Sequence, residues 1–136
     1  MQKKHITEII AGLLVLLATA GTIVGALVYE DNLYAGRKVI ELQARAPERG
    51  NWSMQEIHLI KGEPVTLKIR NVDTVSHGFA IPELGISLSG AGEIKPGNVA
   101  TIEFIPDTTG SFMFTCTTWC STRHMQMTGK IIVSEK

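Results

Sequence analysis

Neither sign of charge is in excess in this chain. Lys plus Arg and Asp plus Glu each number 13 in 136 residues, so the formal net charge is zero. A general nucleic-acid binder carries a basic surplus, so that class is set aside. Cysteine is scarce: there are only two, Cys116 and Cys120. No internal repeat and no low-complexity tract is visible. Charge is also missing locally, because between Ile6 and Val28 only Glu8 is ionisable. The length fits one domain with an appendage.

The uncharged stretch is the appendage. It is rich in Leu, Ala, Val, Ile and Gly and, as a helix rising ~1.5 Å per residue, is long enough to cross a bilayer. Lys3 and Lys4 precede it, and Glu30 and Asp31 follow it. The positive-inside rule then keeps the N-terminus in the cytoplasm and puts the remainder outside. A cleaved signal peptide would use Ala18-Thr19-Ala20 as its small-residue site. The apolar run instead continues from Gly21 to Val28, so a retained single-pass anchor is expected. Residues 1–30 are read as the anchor, 31–50 as a juxtamembrane linker and 51–136 as an outer domain. Arg45-Ala46-Pro47-Glu48-Arg49-Gly50 reads as a polar linker or turn.

The outer domain reads as all-β, with about seven short strands rich in Val, Ile, Thr and Phe between turn signals. Ile57 and Leu59 alternate with polar neighbours, and so do Val65, Leu67 and Ile69, which predicts a half-buried strand over Val65–Arg70. Asn71-Val72-Asp73-Thr74 turns the chain toward His77, which is expected to begin a strand. Val99 to Ile105 and Gly129 to Val133 read as further strands. Phe112, Phe114 and Cys116 share one face of another. This pattern suits a two-sheet Greek-key sandwich, whose end loops can carry function on a rigid support.

One such loop runs from Cys116 to Met127 and holds Cys116, Cys120, His124 and Met127. Two thiols, an imidazole and a thioether form a soft donor set that selects copper or zinc over magnesium or calcium. A tight loop puts the two sulfurs side by side, where they could bridge two metal ions. His124 and Met127 could end the pair, with His77 completing the set. Two cysteines four apart could also be a plain disulfide in an oxidising compartment. Zinc sites rarely use Met.

The residues Val75-Ser76-His77-Gly78-Phe79, the Lys95-Pro96-Gly97 turn, Phe104 with Gly110 and Phe112, and the Cys-x3-Cys-x3-His-x2-Met loop together resemble a known family. It is the dinuclear copper (CuA) domain of cytochrome c oxidase subunit II, a cupredoxin. The resemblance covers the whole chain and is similar to the short, single-helix form found with some bacterial and archaeal oxidases. It implies an all-β Greek-key cupredoxin sandwich with one N-terminal transmembrane helix and two copper ions. His77 and His124 would each cap one copper, Cys116 and Cys120 would bridge both, and Met127 and the backbone carbonyl of Thr118 would be weak ligands. The chain departs from the family at Ser121, where glycine is usual. It also departs at Thr118, where a glutamate often helps to hold magnesium.

The function that the resemblance implies is electron transfer, not chemistry on a substrate. Cytochrome c or a similar carrier would reduce the copper pair. The electron would pass to heme in a separate subunit I, where oxygen is reduced and protons are pumped. The chain would be an enzyme only as a subunit of that oxidase, with no catalysis of its own. A membrane-tethered copper-delivery or thiol-redox protein is the competing expectation. Trp119 is a candidate for the point where electrons come in, or a cover for the loop. Met125 competes with Met127 for the axial role. Trp52 is expected in the core and His58 on an exposed strand face.

Overall fold

Apolar side chains cover every side of the first element, α1 (Gln2–Leu33). The consecutive residues Leu13 to Leu17 are all more than half exposed. A helix that is apolar all round belongs in a membrane or a large core. No residue of the stretch His5–Leu33 is buried. At ~1.5 Å per residue it spans roughly 43 Å, more than the ~30 Å of a bilayer's hydrocarbon. Thr19 donates back to the carbonyls of Val15 and Leu16, and Thr22 to that of Thr19. Their hydroxyls therefore carry no unmet hydrogen bond into lipid. This helix fits a single-pass membrane protein.

The computed structural model describes residues 2–88 and 92–136. It forms two units, Met1–Ala35 and Gly36–Lys136. The second unit is the β-sandwich expected from the sequence. Its strands are β1 (Lys38–Ala44), β2 (Glu56–Ile60), β3 (Val65–Asn71), β4 (Ala80–Ile81), β5 (Ile86–Ser87), β6 (Val99–Phe104), β7 (Gly110–Thr115) and β8 (Thr128–Ser134). One sheet has the order β1-β3-β6 and the other β2-β8-β7-β4-β5. The first strand of each sheet runs parallel to its neighbour: β1 to β3 and β2 to β8. The remaining pairs are antiparallel.

Three sequence expectations change here. Residues 38–44, read as linker, form β1; the alternation in this stretch gains meaning only from its partner β3, far along the chain. His77 does not begin a strand: it makes an isolated bridge with Ile94, and β4 starts at Ala80. β3 keeps its expected inner face, Val65, Leu67 and Ile69, with Lys68 partly exposed and Arg70 exposed, but Thr66, expected on the solvent side, is buried in this central strand between β1 and β6.

The core is centred on three aromatic rings. Trp52, Phe79 and Phe114 are each at most 2% exposed. The Trp52 ring meets Phe79 and Phe114 edge-on at 5.7 and 5.8 Å. Each large apolar side chain buried this way contributes about 1.5–3 kcal/mol. Trp52 is thus a core residue, as expected, and His58 is exposed on β2. Phe114 lies opposite Gly129 across the β7–β8 ladder. A Cβ at Gly129 would overlap the far edge of the Phe114 ring. The ring is wedged between Trp52 and Phe79 and cannot yield. Gly129→Ala should therefore destabilise the domain by roughly 1–3 kcal/mol, the usual cost of overpacking a filled core. Urea titration checks this; an unchanged midpoint would show that the ring has room to move.

Candidate metal centre

The loop between β7 and β8 is closed at its base by a bond from the Cys116 N–H to the Met127 carbonyl, 3.1 Å. Two short turns then fold it inward, His124 N–H to Ser121 carbonyl and Met127 N–H to His124 carbonyl. Neighbouring segments pin its C-terminal end. Asn51 Nδ2 donates to the Gln126 carbonyl, and the indole N–H of buried Trp52 donates to the Met127 carbonyl. Gly78 comes up against the loop from the other strand end. Its N–H points at Cys116 Sγ, 3.3 Å away. A Cβ there would overlap Thr117 Oγ1 and sit 3.0 Å from the Thr117 nitrogen, so only glycine allows this approach.

Five side chains converge as a result. Cys116, Cys120, Met127 and His77 are at most 6% exposed. His77 Nδ1 is 3.8 Å from Cys116 Sγ, and His124 Nδ1 is 3.6 Å from Cys120 Sγ. Met127 Sδ is 3.7 Å from Cys120 Sγ, and the Thr118 carbonyl oxygen is 3.2 Å from Cys116 Sγ. The donor atoms of His77, Cys116 and Cys120 all lie within 4.8 Å of one another. Every residue expected from the sequence as a ligand is therefore in one place. Each sulfur has an imidazole nitrogen within 4 Å, His77 at Cys116 and His124 at Cys120.

The electrostatics suit a soft cation. Burial and the neighbouring Cys116 push the Cys120 thiol up to about 11. Both cysteines are free thiols. Ionising two adjacent buried sulfurs is unfavourable without positive charge between them, and thiolate with imidazole is the donor chemistry of copper. Burial holds His77 below its ordinary value, with Asp73 opposing that shift, so the ring is neutral and fit to coordinate.

The other candidates separate clearly. Trp119 is 71% exposed, with its ring 5.6 Å from that of His124. Met125 is 82% exposed and stands outside the cluster, in contrast to buried Met127.

A family model described as a cupredoxin-like domain matches residues 14–133. The chain belongs to the cupredoxin-like domain family. This cupredoxin is 37% identical over 102 residues to the nitrous-oxide reductase of Ralstonia nicotianae, covering 72% of the chain. It is 29% identical over 79 residues to cytochrome c oxidase subunit 2 of Thermus thermophilus, covering 58% of the chain. The chain spans only 15% of the first protein's length and 55% of the second's. A chain of a heme-copper terminal oxidase dimer shares the fold, with a TM-score of 0.60 at 22% identity, over 91% of this chain and 97% of that one. The fold indicates copper binding, and the gathered His77, Cys116 and Cys120 are consistent with a copper site.

Sequence reasoning missed two residues beside the cupredoxin's site. Asp73 was read only as part of a turn. Its carboxylate is 2% exposed, 3.2 Å from His77 Nε2 and 2.7 Å from the Arg49 guanidinium. The available signal was an Asp four residues before the candidate histidine. Burial alone would raise the Asp73 carboxyl. The backbone N–H groups of Ala46 and Thr74, with His77 and Arg49, outweigh that and hold it at about 2 instead of 3.8. A depressed carboxyl stabilises the fold at pH values above about 4 and loses that contribution as pH falls from about 4 to about 2. The shift corresponds to about 2 kcal/mol. Asp73→Asn should remove this part of the acid limb in denaturant titrations of the metal-free chain in detergent. Parallel acid limbs for variant and wild type would contradict it.

Proposed function

We propose that this chain is a membrane-anchored electron-transfer module built around a dinuclear copper centre. The observation that carries the reading is the pair of buried, adjacent cysteine sulfurs, each with its own imidazole nitrogen under 4 Å away. A site for a single copper needs only one of them. In this reading Cys116 and Cys120 would hold both coppers between them, His77 and His124 would each hold one, and Met127 and the Thr118 carbonyl would be weaker ligands. A copper pair bound there would supply one-electron exchange, with the charge shared over two metals and little change in bond lengths. The protein's part is to keep the ligands still. The Trp52 indole and Asn51 hold the loop, and Gly78 keeps Cys116 in a hydrogen bond. With these six donors from the protein, the centre would need no ligand from a substrate.

The likeness to cytochrome c oxidase subunit 2 and the apolar helix favour subunit II of a terminal oxidase. The donor is cytochrome c or a similar carrier, and the acceptor is heme in subunit I, where oxygen is reduced. Lys3 and Lys4 at the N-terminal end of the helix, with Glu30 and Asp31 at its C-terminal end, favour an N-terminus in the cytoplasm and a copper domain outside. Thiol-redox chemistry is disfavoured by the raised Cys120 pKa, because reactive thiols have lowered values. A second reading draws on the higher identity to nitrous-oxide reductase: the same centre would feed a nitrous-oxide-reducing partner. Affinity purification of the full chain from detergent-solubilised membranes decides between them. Co-purified heme with cytochrome-c-dependent oxygen uptake supports the oxidase. Heme-free material that supports nitrous-oxide reduction supports the second reading.

The two methionines near the centre offer a finer test. Met127→Leu should leave the copper content unchanged and shift the reduction potential. Met125→Leu, at an 82% exposed position, should do neither. A larger effect from Met125→Leu would reverse the axial assignment.

A further inference from the structure

We propose that Arg49 and Asp73 act as a charged positioning pair for His77, fixing its ring and setting, with opposite signs, how strongly it favours oxidised copper. This deepens the reading above and rests on His77 being a copper ligand.

The geometry is specific. His77 presents Nδ1 to Cys116 and Nε2 to Asp73 Oδ2. If Nε2 carries the proton, Nδ1 is left bare toward the metal side. The carboxylate can hold that tautomer because it is itself held. Asp73 Oδ2 also accepts from the Ala46 N–H at 2.7 Å. Asp73 Oδ1 accepts from the Thr74 N–H at 2.6 Å and from Arg49 Nη2 at 2.7 Å. The Asp73 N–H donates in turn to Asn71 Oδ1, whose amide donates to the Val75 and Ile94 carbonyls. His77 and Asp73 are sealed from solvent, but Arg49 is half exposed. One short turn, Pro47–Arg49, thus reaches a buried histidine through one carboxylate.

The physics gives each member a sign. A carboxylate that accepts a ligand histidine's N–H orients the ring and raises its basicity. A more basic ligand favours the higher oxidation state. The Arg49 cation withdraws part of that charge and acts the other way. Because Arg49 is half in water, its effect is screened and is the smaller of the two.

The test uses the full chain in detergent. First, nitrogen NMR of the metal-free protein should show His77 as the Nε2–H tautomer, and Asp73→Asn should disturb it. Next, the copper-loaded reduction potential should rise in Asp73→Asn and fall, by less, in Arg49→Gln. Arg49→Lys should stay near the wild-type value. A role confined to stability predicts no such pattern of opposite signs. Shifts of the same sign, or an unchanged potential in both variants, would overturn the pair. Should Asp73→Asn not fold, the sign of the Arg49→Gln shift and its recovery in Arg49→Lys decide alone. Failure of the wild type to hold copper would instead refute the parent reading, while the metal-free NMR result would still judge the pairing of His77 with Asp73.

Discussion

Cys116→Ser and Cys120→Ser should each abolish an unpaired-electron signal shared over two copper nuclei. Both sulfurs are buried, and each lies near one imidazole and one further donor, so in the two-copper reading removing either would break the bridge and unbalance both ends. A hydroxyl is a poor soft ligand and cannot bridge copper as thiolate does. Loss of the shared pattern should be complete, with copper content falling or a single-copper signal taking its place. The fold should survive. Serine is close in size, and the loop's backbone bonds to Met127, Ser121 and His124 do not involve either sulfur. Electron paramagnetic resonance with metal analysis on each variant is the check. A variant that kept the shared pattern would show that its cysteine is not a bridge.

The second large effect is expected at Trp119. Trp119 is 71% exposed and its ring lies 5.6 Å from the ring of His124, a position that suits an entry point for electrons. Setting aside Lys3, Lys4 and Glu8, eleven basic residues stand against twelve acidic ones. A balance near −1 gives little long-range steering, which would otherwise speed association and make it fall steeply with salt. The donor should therefore dock through apolar contact at this pole, where Met125 is also exposed. Trp119→Ala should slow reduction by the donor about tenfold or more, and further than any single Asp or Glu neutralisation. Stopped-flow reduction across salt separates the alternatives. Between roughly 0.01 and 0.15 M the screening length shrinks from ~30 to ~8 Å. A drop of tenfold or more over that range would refute apolar docking and point to clustered charge.

Local spacing carried much of this molecule in its sequence. The interval from Cys116 to Met127 is short enough that one loop must hold all its donors, and the residue types narrow the metal to copper or zinc. The alternations at Ile57, Leu59, Val65, Leu67 and Ile69 marked core positions, and all five are buried. What local pattern could not carry was partnership across the fold. Lys38–Ala44 passed for linker because its parallel partner, β3, lies beyond an intervening strand. Thr66 passed for a surface residue because nothing nearby says that β3 is a central strand. Asp73 passed for a turn residue, which it also is. Its contacts with Arg49 and the Ala46 N–H depend on a segment more than twenty residues upstream. Trp119 and Met125 could not be told from buried loop residues until the loop had a shape.

The central claim is a two-copper site, and metal stoichiometry of the full chain tests it most directly. The chain, purified in detergent and loaded with copper, should hold two copper ions and be purple when oxidised. Its paramagnetic resonance signal should be spread over both nuclei. A ratio of one copper per chain, or a Cys116–Cys120 disulfide persisting in the copper-loaded protein, would contradict it.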